Sequence, residues 1–237
     1  MAVGMSNNVG LLQEAHNQGD YCMKKIKMLY DVAKTMKNMA KIDGVITVDV
    51  RKDQEAVFSL RNKFEKNEAG KVTAHVSSKM NLNGEDLTRE STTEFTLTGD
   101  HGPCMMWKSL HGRHDAAGCR GIKGAFHRIS VALGILSSLK VEDQPNGATV
   151  ISLNLSDIPD EVKNMLLEKM QQKHAGHPDC CCMQGCRNVE MLNGLVVITV
   201  NEKHAIDKVT VNLDGRAQDA ENKEHTMVAT AELQLAW

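Results

Sequence analysis

Between His174 and Cys186 the chain reads His-Ala-Gly-His-Pro-Asp-Cys-Cys-Cys-Met-Gln-Gly-Cys, which gathers two imidazoles, four thiols, a thioether and a carboxylate within thirteen residues. Two residues separate His174 from His177, a spacing that suits joint ligation. A short loop separates Cys182 from Cys186, and Gly185 allows it to turn tightly. Thiolate and imidazole in a tetrahedral set suit zinc, whereas thiolate with thioether suits Cu(I). The expected metal ligands are therefore His174, His177, Cys180, Cys181, Cys182 and Cys186. Adjacent cysteines point in different directions, so not all three of Cys180–Cys182 can face one ion. A cysteine-rich surface loop with no metal is the competing reading.

A second, looser group comprises His101, Cys104, His111, His114 and Cys119, with Met105 and Met106 among them. It could form its own metal site or converge with the first, but loop histidines usually do no more than sit in solvent. Cys104 or Cys119 could be paired with His111, His114 or His127 as a nucleophile and base. With 7 Cys and 10 His in the chain such pairings arise by chance, and no reaction is read from them. The glycines at 118, 121 and 124 follow no apolar strand, so they do not make a phosphate loop. His16, His75, His204 and His225 stand singly, which places them on solvated faces.

The bulk properties narrow the classes further. A net charge of −2 and 3% aromatic residues give neither the basic footprint nor the stacking platforms of a nucleic-acid binder. No apolar run reaches the ~20 residues that cross a bilayer. The first twenty residues lack a secretory leader's pattern, so the chain reads as cytoplasmic as written, or as an envelope or extracellular protein whose leader was removed. An odd number of cysteines, crowded in one segment, favours reduced thiols over a disulfide framework.

These residues must be held by the elements around them. Asn7–Gln18 is expected to form a short helix ended by Gly19-Asp20, and 21–41 a stronger one with Ile26, Leu29, Tyr30, Ala33, Met36 and Ala40 at helical spacing. Past Gly44 the period changes to two. Ile46, Val48 and Val50 mark one strand, and Ala56, Phe58 and Leu60 a second. Val72, Ala74, Val76, Ser78, Met80 and Leu82 share one face of a third, and Asn83-Gly84 turns it back into a strand over 88–98 carrying Phe95 and Leu97. A buried helix is expected over 125–140, a strand over 149–155, and a helix to about Lys173 capped by Ser156 or Asp157, with Pro159 in its first turn. Three strands follow over 195–200, 208–213 and 226–237.

The helix at Tyr21–Val50 leading into a strand, the strand and helix over Leu139–Met170 and the final meander Gly194–Trp237 together resemble the half-barrel envelope proteins of the lipoprotein-carrier type. The resemblance implies a curved antiparallel sheet wrapped on helices, and a role in binding apolar ligands or serving the cell envelope. The expected fold is α+β, with meanders of antiparallel strands packed on one face by several helices. It forms one domain over 1–237, whose halves 1–100 and 125–237 are joined by the irregular segment 99–124. The expected function is non-enzymatic binding of zinc or copper. The alternative is an envelope or extracellular protein that holds an apolar ligand or partner on the sheet, or self-associates through its last strand should that strand lie at an edge.

Overall fold

The computed structural model describes residues 7–82, 84–96, 131–164, 187–218 and 222–237, with side chains for all of these except 7–22, 82 and 187–192. A long helix, α1 (Asn7–Asn38), leads into four strands: β1 (Ile42–Lys52), β2 (Glu55–Lys66), β3 (Lys71–Leu82) and β4 (Glu85–Thr96). A helix over 131–138 (α2) precedes β5 (Lys140–Asp143) and β6 (Thr149–Asn154). A 3-10 turn, Leu155–Asp157, and a helix over 160–164 (α3) follow. The chain closes with β7 (Arg187–Val200), β8 (Ile206–Gln218) and β9 (Glu224–Ala236). All nine strands form one open, curved antiparallel sheet in the order β4-β3-β2-β1-β9-β8-β7-β6-β5.

The α+β architecture expected from the sequence is present, and the short-range pattern explains most of it. In β1 the even positions from Ile42 to Val50 are apolar or glycine, and in β3 the even positions from Val72 to Met80 lie on the same face as them. Gly84 takes φ +88° at the β3–β4 turn and donates its N–H to Asn81 Oδ1 at 3.1 Å, the left-handed geometry that the Asn-Gly pair anticipates. Two expectations give way. Gly19 does not divide the first helix, because α1 runs through it, and an interior glycine costs a helix only about 1 kcal/mol. The second helix ends at 138, and Lys140 begins a strand. Asn154, whose side chain accepts the Ser156 N–H at 3.0 Å, opens the 3-10 turn ahead of α3.

The last strand is central. It pairs with β1 along Asp43–Lys52 and with β8 along Lys208–Gln218. Self-association through an exposed β9 edge is therefore ruled out, and the edges of the sheet are β4 and β5. The first and last strands lie side by side, so the two halves of the chain share one hydrogen-bonded sheet.

One row of side chains crosses six strands on a single face: Ile46, Leu233, Val209, Ile198, Ile151 and Val141. α1 packs on its far end. Val32 of α1 joins Ile151 and Val200, which are 2% and 0% exposed, with Met28, Leu29, Met36, Leu139, Val141, Ile198 and Ile206 around them. Close approaches lock this face. A methyl at Gly194 would meet Leu155 Cδ1 at 2.2 Å, so the leucine of the 3-10 turn lies directly over β7. The opposite face is polar and solvated: Thr47, Asp49, Arg61, Lys63, His75 and Lys79 share it.

Candidate ligand-binding face

The residues read from the sequence as metal ligands, His174, His177, Cys180, Cys181, Cys182 and Cys186, and the second group His101, Cys104, His111, His114 and Cys119, lie outside the described residues. So does His127. Chain re-enters the sheet at Arg187, which pairs with Gln218 at the end of the β7–β8 ribbon. No group of three or more His, Cys, Asp or Glu is placed to share a metal ion among the described residues. No helix among them is long and apolar enough to cross a membrane.

What the described residues do assemble is an apolar face that its helix covers unevenly. Strand pleating sends alternate side chains to opposite faces, and residues directly paired across strands share a face. Four rows on the β1–β4 half follow from the register. Val50 pairs with Phe58, then Met80, then Leu87; Val48 with Leu60, Ser78 and Arg89. Ile46 pairs with Asn62, Val76 and Ser91; Gly44 with Phe64, Ala74 and Thr93. The face is thus aliphatic and aromatic along β1–β3 and turns polar along β4.

Packing differs between the two ends of this face. The buried cluster that includes Val32 extends over β5–β8, and on β1–β4 most of the apolar side chains remain half-buried, Val72 being the fully buried one. At the β4 rim Leu87 and Phe95 are 53% and 47% exposed. Gly44 shapes the middle of the face: a methyl there would run into the Phe64 ring and meet Leu235 Cδ2 at 2.9 Å, so the ring occupies the space over the glycine. Asn62 Oδ1 is buried on this face and has no hydrogen-bond partner among the described residues. α1 adds apolar surface of its own, since Met23, Ile26 and Tyr30 recur at three- and four-residue spacing and are exposed.

The polar face has a trough of about 450 Å³ lined by Arg61, Lys63, His75, Ser77, Glu90 and Thr92, among others. His75 Nδ1 lies 3.0 Å from Thr92 Oγ1. Its charged walls are exposed and hydrated, which suits a solvated surface.

The corner where β1 turns into β2 holds a second arrangement, which the sequence did not announce. His225, read as a solitary solvated histidine, is 7% exposed, and its Nδ1 lies 2.6 Å from Asp53 Oδ2. Asp53 Oδ1 accepts the Thr226 N–H at 2.8 Å, and the Asp53 N–H donates to the Thr226 carbonyl at 2.9 Å. Asp53 and Gln54 both take positive φ, 50° and 72°, as the two central residues of a tight hairpin turn. The hydrogen bond from His225, then that from Thr226, holds the Asp53 carboxyl below the usual carboxylate range. His75 and His204 are exposed as expected.

The sign of the Asp53 effect fixes a pH dependence. A carboxyl whose folded-state pKa is depressed stabilises the fold above its unfolded value, near 3.8, and that contribution is lost as pH falls through the folded value. Asp53→Asn keeps a residue tolerant of positive φ and removes the charge. Its melting temperature is expected to fall relative to wild type at pH 7, and the gap should narrow as pH falls below the ordinary carboxylate value and close once the folded carboxyl is protonated. Thermal melts between pH 2.5 and 7 check this. A constant offset at all pH values would place the effect in the turn and not in the charge. Asp86, Glu94, Asp157 and Glu232, held down chiefly by Lys79, Lys71, Lys140 and Lys208, keep the variant acid-sensitive.

No family model matches the chain, and no curated protein does either. Among solved structures, a tesB protein of Mycobacterium avium subsp. paratuberculosis is 8% identical, covering 90% of this chain and 86% of its own, at a TM-score of 0.19. The dehydratase domain of a mycocerosic acid synthase-like polyketide synthase is 13% identical, covering 82% and 75%, at 0.16. A red fluorescent protein variant of Branchiostoma lanceolatum is 10% identical, covering 78% of each chain, at 0.18.

Proposed function

We propose that this chain is a non-catalytic binding protein that holds an apolar ligand or partner against the β1–β3 half of its sheet. The observation that carries the reading is the uneven cover of the apolar face among the described residues: α1 packs on the β5–β8 end, while Leu60, Phe64, Val76 and Met80 stay half-buried toward a polar rim at β4. Ligand sites are typically apolar surfaces with a few polar groups that fix orientation. Asn62 and Arg89 supply such groups on the same face as Leu60 and Val76.

Adjacent residues on opposite faces give the test. Saturable binding of a fluorescent lipophilic probe, such as anilinonaphthalene sulfonate, is expected for the purified full chain. Val76→Glu should weaken it about tenfold or more, since a carboxylate would have to be desolvated against the ligand. Ser77→Glu, one residue on and on the polar face, should leave it unchanged. Absence of saturable binding, or equal loss in both variants, sinks the reading.

A second reading rests on the residue content of 174–186, where thiols and imidazoles suited to a soft metal are concentrated. Zinc or copper is its expected cofactor. Mass spectrometry of protein purified without added metal is expected to find near-stoichiometric zinc or copper, reduced to background by joint Cys180→Ser, Cys182→Ser and Cys186→Ser substitution. Metal-free wild-type protein that fails to take up either ion on reconstitution removes this reading and leaves the first untouched.

A further inference from the structure

The outer edge of β4 has an unusual composition for an open sheet edge. β4 is 12 residues long, exposed along its whole length and continuous with β3 without a bulge. Among the described residues it pairs with β3 alone, so its outer row of backbone N–H and C=O groups faces outward. Edges are commonly blunted by proline, lysine, bulges or shortness. β4 has none of these, though Glu85, Asp86, Arg89, Glu90 and Glu94 give it charges of both signs, with Arg89 on the apolar face. Two of its acidic side chains have exposed lysine partners within the chain: Lys71 Nζ lies 2.7 Å from Glu94, and Lys79 Nζ lies 2.6 Å from Asp86.

We propose that β4 is a dimerisation edge that pairs antiparallel with β4 of a second copy of this chain, with Ser91 on the two-fold axis. The register follows from charge and symmetry. A two-fold axis normal to the sheet keeps the same face up in both copies, so each residue must pair with one of its own parity. Centring the pair on Arg89 or Glu90 sets like charges directly opposite. Centring it on Thr88 or Thr92 brings Glu90 against Asp86 or Glu94. Centring on Leu87 or Thr93 avoids like charges but pairs only one end of the strand, whereas centring on Ser91 avoids them and pairs Asp86 through Thr96. It pairs Leu87 with Phe95 of the second copy at both ends, Arg89 with Thr93, and Glu90 with Thr92. The two most exposed apolar side chains of the strand thus cover each other, and the interface joins the two apolar faces into one continuous surface.

Thr93 is exposed and lies opposite Arg89 of the second copy in this register, so its charge can be set in either direction without touching the core. Sedimentation equilibrium in reductant, which excludes cysteine cross-links, is expected to show a concentration-dependent dimer for the full chain. Thr93→Arg should weaken dimerisation about tenfold and Thr93→Glu should strengthen it, because each substitution acts twice across the axis. Arg89→Glu combined with Thr93→Arg should reverse that loss and dimerise about as tightly as Thr93→Glu, since both set opposite charges across the axis. A monomer at every concentration overturns the proposal. So does a dimer whose constant moves the same way with both charges, since that would place the interface on another surface.

Discussion

Ile151→Ala is expected to lower the unfolding free energy by about 3 kcal/mol and the melting temperature by roughly 10 °C. Ile151 is 2% exposed and stands where three elements meet: its own strand β6, the helix α1 through Val32, and the strand β7 through Ile198 and Val200. Removing its branched side chain forfeits the transfer energy and leaves a void that a sheet position, held on both sides by Val141 and Ile198, cannot close by local movement. Val228→Ala, at an exposed site on β9, should change stability by less than about 0.5 kcal/mol. Chemical denaturation of both variants checks the contrast. Equal effects would mean that α1 and the sheet are not packed as one cooperative core.

The second large effect is expected at Lys25. It is 6% exposed, and its Nζ lies 2.6 Å from the Leu139 carbonyl and 3.4 Å from those of Leu136 and Ser137. The last carbonyls of a helix have no partner within it, and a cation there also meets the negative end of the helix dipole. One ammonium therefore closes α2 and ties it to α1. Lys25→Met keeps the stem and removes the charge, and is expected to cost about 2 kcal/mol. Hydrogen exchange should rise most at the amides of α2. A loss of stability without that local signature would assign the role of Lys25 to the packing of its stem.

These two sites show how much of the fold the sequence carried. The alternation through Val72–Met80, the Asn-Gly turn and the apolar spacing at Ile151 and Leu153 are local patterns, and each strand they imply is present. Strand order is another matter. That β9 lies between β1 and β8 is decided by pairing residues such as Val48 and Ala231, far apart in the chain, and periodicity is blind to such choices. Lys140 closes the expected helix over 125–140 and begins β5, whose four residues are too few to show an alternation of their own. The contact of His225 with Asp53 spans 172 residues, and no spacing rule could have drawn a solitary histidine out of solvent. As for the candidate site, the alternating residues of its face were legible, but its uneven cover depends on where α1 comes to rest.

The position of β9 bears on how the protein is made. The hairpins of β1–β4 leave the ribosome first, with one side of β1 waiting for a strand that lies ~130 residues beyond Thr96. At ~5–20 residues per second, that interval is on the order of ten seconds. During it the nascent chain displays an apolar, unpaired strand bearing Ile46, Val48 and Val50, the kind of surface that recruits chaperones or a wrong neighbour. Its native partner arrives only once β9 has been made. Truncation by a single strand at the C-terminus would thus do more than shorten the protein: it would leave two sheets with no seam between them.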